Sequence, residues 1–237
     1  MSDTYNVVAY RSAKKIEIKL KIWELTSDSY AGGDQYTKKS YLERYPREPS
    51  SEFVERKKRA VFFNHVQPLA DLLSGFIFAS KPERTISKNL DYFTEKTSKS
   101  KDIDAFMMNL AIHSSLYTMG VLIDSPVFDE EEIKTEAKRK QMELNPYATL
   151  YFPWQIRDFE CSDSGELVWI ILDDSYVDKS SPYIAEKEKT VYRLRTKEKN
   201  EDYEIKTDKQ GKKQAEKIFE KVHNLGKVPF RFMNWRD

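Results

Sequence analysis

The residues best suited to chemistry in this chain are carboxylates lying near a lysine. Asp173-Asp174 closes an apolar run, and Glu204-Ile205-Lys206 lies on a second one. Side chains alternate along a strand, so Glu204 and Lys206 share a face. Two carboxylates and a lysine in that arrangement could hold a magnesium ion and orient a water, the chemistry of a metal-dependent nuclease. The spacing carries little weight, however. The same acid-x-lysine pattern recurs at Glu17–Lys19, Glu55–Lys57, Glu132–Lys134 and Glu136–Lys138, as expected by chance where 33% of residues are charged. A solvated strand face is the plainer reading.

Other chemistries find less support. His65, His113 and His223 are far apart, and none stands at metal-ligand spacing from Cys161. Gly226-Lys227 runs into Val228 with no glycine at phosphate-loop spacing before it, and no G-x-S-x-G elbow occurs. Ser12 and Lys15 form an S-x-x-K with no supporting motif. No catalytic, cofactor-binding or metal-binding residue is assigned, and no cofactor is expected.

Composition narrows the classes further. The 237 residues carry 40 basic and 39 acidic side chains, a net charge of +1. That balance argues against a bulk nucleic-acid binder while leaving room for a local basic patch. Aromatics at 13% separate the chain from disordered sequences. One cysteine allows no internal disulfide. The longest apolar run, Leu69 to Ser80, is too short for a membrane span and contains Asp71. No apolar core follows Met1, which reads as a cytosolic product without a signal peptide.

The elements that must position these residues read as α+β. Ile16, Ile18, Leu20 and Ile22 alternate with charges, which predicts a half-exposed strand, although Trp23 and Leu25 break the parity and leave a helix open. Residues 26–40, with Gly32-Gly33 at their centre, read as a flexible loop. Ser50 or Ser51 suits a helix cap, and one long helix is predicted over 51–79, bent at Pro68. Its first half carries Arg56 to Arg59. Its second half is apolar almost all round, which implies burial on several sides.

A short helical segment is expected within 83–100. A helix follows over Ile103–Tyr117, with Phe106, Leu110, His113 and Tyr117 on one stripe and Gly120 at its end. A strand is read at Val121–Ile123 and a surface helix from Asp129 to about Met142. Strands are predicted at Leu167–Asp173, Thr190–Thr196, Asp202–Lys206 and Ala215–Val222, forming an antiparallel sheet with one wet face. A hairpin turn is expected at Asp208–Gly211.

The stretch 41–82 is the most distinctive. The basic run Arg56–Arg59 could touch phosphate, though a solvated helix face, partly neutralised by Glu52 and Glu55, is commoner. Phe62, Phe63, Leu69, Leu72, Phe76 and Phe78 read as core or as a subunit contact. Arg56, Arg59, Phe62, Phe63, Phe76 and Phe78 are therefore the candidate packing or subunit-contact residues.

A string of short motifs then falls in order. Tyr41-Leu-x-Arg-Tyr-Pro-x-Glu48, Phe53, Arg59-Ala60-x-Phe62-Phe63-Asn64, Leu72-x-x-Gly75-x-Ile77-Phe78 and Lys81-Pro82 come first. Gly120-Val-Leu-Ile-Asp124-x-Pro126, Asn145-Pro-Tyr147, Tyr151, Ile156 and Leu225-Gly-Lys-Val-Pro-Phe230 follow. Together they resemble the N-terminal half of portal proteins of tailed bacteriophages, within a portal-like family of phages and prophages. The resemblance covers most of residues 40–237.

It implies an N-terminal arm and loop over 1–40, a mainly helical wing-like region over 41–144 and a mainly antiparallel β region over 145–237, with one domain over 41–237 left open as the alternative. The stem and clip that follow in the family would be absent from this chain. It further implies a subunit of a homo-oligomeric ring, usually a dodecamer, at one capsid vertex, with double-stranded DNA passing through the channel, mostly against the missing half. The expected partners are terminase, head-completion or adaptor proteins, and capsid or scaffolding proteins; no membrane is involved. The expected locations are the virion and, during assembly, the host cytoplasm. The family breaks no bonds itself. The alternatives are a nuclease of phage or mobile-element type and a stand-alone interaction module.

Overall fold

Period-two segments in the second half of the chain pair as antiparallel strands, and helices from the first half cover one side of them. The computed structural model describes residues 14–39, 41–98, 100–126, 144–178, 187–207 and 213–234. The helix read at Asp129–Met142 and the turn at Asp208–Gly211 lie outside the described residues. The helices are α1 (Lys14–Ala31), α2 (Gly33–Lys38), α3 (Ser50–Arg59), α4 (Val66–Ile77), α5 (Asp91–Glu95) and α6 (Ile103–Leu116). The strands are β1 (Met119–Asp124), β2 (Tyr147–Tyr151), β3 (Ile156–Cys161), β4 (Leu167–Asp173), β5 (Tyr176–Asp178), β6 (Lys187–Thr196), β7 (Lys199–Thr207), β8 (Lys213–Val222) and β9 (Phe230–Met233). The α+β class and the mainly antiparallel sheets agree with the sequence reading.

Two sheets form. The smaller has the order β2-β1-β9, and the larger β3-β4-β6-β7-β8 with β5 alongside β6. Alternation gives each sheet two working faces. Met119 and Val121 of β1 meet Phe106 and Leu110 of α6, Ala148 of β2 and Trp23 of α1. Leu122, Tyr151 and Phe230, on the opposite face of the small sheet, pack against Ile156, Ile170 and Leu172 of the large one. The layers are therefore helices, small sheet, large sheet. The far face of the large sheet is covered by its own side chains: Trp169 and Tyr192 flank Ile171, Leu194 and Tyr203, and the Arg157 guanidinium lies 5.2 Å from the Tyr192 ring.

Several local expectations are corrected. Residues 14–31 are helical, not a strand, because Leu20 and Trp23, one turn apart, both reach the core. That stripe outweighs the period-two pattern of the isoleucines. The segment read as a loop holds the end of α1 and the whole of α2. Gly32 separates them at φ 66°, ψ −161°, a conformation essentially restricted to glycine.

The single bent helix over 51–79 is two helices, with Ala60–His65 non-helical between them. A continuous helix would drive the Pro68 ring into the Asn64 carbonyl. The chain instead stops at Arg59 and restarts after Asn64, whose Oδ1 accepts from the Val66 and Gln67 amides at 3.1 Å each. Pro68 then sits in the first turn, where its missing donor costs nothing. Ser50 is the first helical residue, not a cap; its Oγ accepts from Arg44 Nη1 at 3.0 Å.

The α6 prediction holds, with Asp102 Oδ1 capping the Ala105 amide at 2.8 Å. Gly120 does not end that helix. It lies within β1, where an added Cβ would stand 2.2 Å from Cζ of Phe230. The strands at 167–173, 190–196, 202–206 and 215–222 are all present within β4, β6, β7 and β8.

Candidate functional site

The proposed nuclease residues are not brought together. Asp173 faces Tyr192 across β6, and Tyr192 faces Tyr203 on β7. Residues in one such row share a face, so Glu204, next along β7, points to the other side. The Asp173 carboxylate accepts from Ser175 and lies 3.8 Å from Arg157. Glu204 lies 3.5 Å from Lys206, which also reaches Glu216. Asp174 pairs with Arg193 at 2.9 Å. No cluster of three His, Cys, Asp or Glu residues suited to a metal occurs among the described residues. The histidines also stay apart: His65 precedes α4, His113 lies within α6 and His223 follows β8.

The six candidate contact residues divide by role. Arg56 turns inward onto the loop before α3. Its Nε and Nη2 donate to the two oxygens of Glu48 at 2.8 Å each, and Nη2 also reaches the Glu43 carbonyl at 2.8 Å. The guanidinium lies 4.3 Å from the Tyr45 ring and 5.3 Å from that of Phe53. The Arg56 pair holds the Glu48 carboxyl below its usual range. This clasp folds the Tyr45–Pro49 turn against α3 and leaves Arg56 engaged within the chain. Arg59 is exposed. Phe62 stacks on Tyr36 at 3.8 Å between centroids, and Phe78 is half-buried at the end of α4.

Phe63 and Phe76 point outward, 76% and 70% exposed. They belong to a larger surface. Leu69, Leu72, Phe76 and Ile77 of α4 are each more than half exposed, with Leu73 close to that. Spacings of three, four and seven residues place them on one stripe. The opposite side of α4, which packs toward α1 and α6, carries Ala70 and Ser74, both buried, and Asp71, which accepts from the Tyr30 hydroxyl at 2.8 Å. The helix thus turns its small and polar side inward and its large apolar side to solvent. The sequence reads this stripe as buried on several sides or as a subunit contact; within the chain, only the side carrying Ala70 and Ser74 is buried.

Asn64 fixes this helix in place. Its Oδ1 caps α4, while its Nδ2 donates to the Tyr30 carbonyl near the end of α1 at 2.8 Å. An added Cβ on Gly32 would stand 2.7 Å from that Nδ2. Beside it, Asp28 accepts from the Tyr41 hydroxyl and lies 2.8 Å from Lys39 Nζ. Burial would raise the Asp28 pKa, but these two donors lower it overall. Burial and the Asp28 carboxylate push the Tyr41 hydroxyl up to about 12.

Between the sheets lies a charge network that sequence reading missed. Arg193 reaches Asp124 at 3.0 Å and Asp174 at 2.9 Å; Arg195, 1% exposed, reaches Asp202 at 2.7 Å and Asp124 at 3.5 Å. The Arg193 and Arg195 face of β6 is covered by the small sheet. The only sequence signal was the i,i+2 arginine pair. With each guanidinium set among carboxylates, the network ties β1 to β6 and β7.

No known protein family and no curated protein matches this chain. Among the described residues, no helix is long and apolar enough to cross a membrane.

Proposed function

We propose that this chain is the wing-like N-terminal region of a tailed-phage portal subunit, a structural part of the ring at the capsid vertex through which DNA is packaged and ejected. The observation that carries the reading is the outward apolar ridge of α4. Exposed contiguous apolar surface beyond a few hundred Å² marks a contact site, on the general experience of monomeric proteins. This ridge is held by capped, pinned helices rather than by a loop. A patch on one subunit that meets a different patch on its neighbour closes a ring when the rotation repeats.

The motif residues support the reading in a second way. Tyr41, Glu48, Asn64, Gly120, Asp124 and Tyr151 all carry structural work in this fold: a carboxylate contact, a clasp, a helix cap, a close strand approach, an ion network and a core ring. A family whose shared residues build a scaffold, and which breaks no bonds, fits that pattern. Under this reading terminase, adaptor and capsid or scaffolding proteins are the partners of the whole assembly, in the host cytoplasm and then in the virion.

The test is to express the whole reading frame that encodes this chain and image the product by negative stain and mass photometry. Rings of uniform size are expected. Leu72→Glu combined with Phe76→Glu should abolish them while leaving circular dichroism unchanged, because both side chains are exposed in the single chain. A wild-type product that stays monomeric at every concentration sinks the reading.

A further inference from the structure

β9 is an edge strand of the small sheet, whose order is β2-β1-β9. The register decides which backbone groups point there. The Ile123 amide donates to the Pro229 carbonyl at 2.9 Å, and Leu122 stands opposite Phe230. In an antiparallel pair, bonded and non-bonded residue pairs alternate. Arg231 and Met233 therefore bond to β1, and the N–H and C=O groups of Phe230 and Phe232 point outward. No strand pairs with that edge among the described residues. The Phe230 ring is buried in the core between the sheets. Backbone donors and acceptors that no neighbouring strand uses are available to a partner.

A groove of about 770 Å³ runs beside this edge. Phe106 and Met107 of α6 wall one side and Leu167 of β4 the other. Lys227 and Arg231 stand at its rim, and neither has an ion-pair partner among the described residues. Lys197, also at the rim, is 3.4 Å from Glu166. Among the described residues, the groove thus combines a strand edge without a partner strand, apolar walls and two cations without an ion-pair partner.

We propose that this groove binds an extended, acidic segment of a partner polypeptide by strand addition. The backbone of that segment bonds to Phe230 and Phe232, alternate apolar side chains enter the groove, and a carboxylate meets Lys227 and Arg231. Main-chain bonds supply affinity in such docking, and side-chain pockets with charge matching supply specificity. The inference rests on the β9 edge and does not depend on the portal reading.

The test uses the full chain and a short labelled peptide alternating valine with threonine and glutamate. Fluorescence anisotropy should show saturable binding that weakens with added salt. Hydrogen exchange should slow at the Phe230 and Phe232 amides on binding, with little change at Arg231 and Met233. Lys227→Glu with Arg231→Glu should weaken binding roughly tenfold or more with the fold intact. A lysine-for-glutamate version of the peptide should fail to bind. Absence of binding, or equal binding of the basic peptide, overturns the proposal. So does protection of the Phe230 and Phe232 amides in the free chain, which would show that the chain's own residues fill the edge. A concentration-dependent dimer that protects the same amides would assign the edge to a second copy and overturn it equally.

Discussion

Asp28 illustrates what a single buried charge does here. It is 1% exposed, yet Lys39 and Tyr41 keep its pKa below the ordinary carboxylate value. A carboxyl whose folded pKa is depressed adds stability above the unfolded pKa, and that stability is lost as pH falls through the folded one. The contribution should be complete above roughly pH 5 and decline from about pH 4 downward, the range set by the unfolded aspartate value. Urea unfolding of the wild type should show that decline. Asp28→Asn should be less stable near neutral pH and should lose less on acidification, since the variant has no proton to take up at this site. Equal acid slopes in the two proteins would show that Asp28 is not a source of the decline. Arg56 makes a related point. It was weighed as a phosphate contact, and its sequence neighbours are all charged; only the fold shows that Glu48 and two aromatic rings occupy it.

The elements were legible where one physical signal dominated. β4, β6, β7 and β8 stand where alternation and apolar content placed them, and α6 lies along its predicted stripe. Where two signals competed, the reading went astray. Ile16 to Ile22 alternate like a strand, but Leu20 and Trp23 are spaced for a helix, and tertiary packing chose the second pattern. Pro68 was read as a kink in one helix when Asn64 could cap a new one. The α4 ridge is legible as an apolar stripe, but the sequence leaves core and subunit contact both open, because a side chain suited to a core is equally suited to a partner. Arg193 and Arg195 look solvated in sequence and are covered only because the small sheet lies over β6. At Gly120 the Phe230 ring occupies the space a side chain would need. Gly120→Ala places a methyl group against the Phe230 ring, and forcing the ring aside should cost about 1–3 kcal/mol. Thermal unfolding should register the loss, and Phe230→Leu in the same chain should recover part of it by clearing the space. An unchanged melting temperature for Gly120→Ala would show that Phe230 gives way freely.

At the scale of the molecule, the question is whether the helical layer and the two sheets unfold together. Leu122 is fully buried in a cluster drawn from β1, β2 and β9 on one side and β3 and β4 on the other. Trp23 of α1 touches both this cluster and the one beneath α6, so the two cores share a wall. The pairs from Arg193 and Arg195 to Asp124 cross the same interface. A chain of 237 residues is long enough for separable transitions, but shared apolar surface couples its parts. Leu122→Ala should cost about 2–5 kcal/mol, the range for emptying a filled core position. The loss should appear equally by far-ultraviolet circular dichroism and by tryptophan fluorescence, as one shifted transition, since removing the leucine loosens both sheets at once. Two transitions, only one of them shifted, would show that the sheets are independent. Under the proposed reading as an assembly subunit, that coupling would let load at the α4 ridge pass through the helices into the small sheet and, across the Arg193 and Arg195 ion pairs, into the large one.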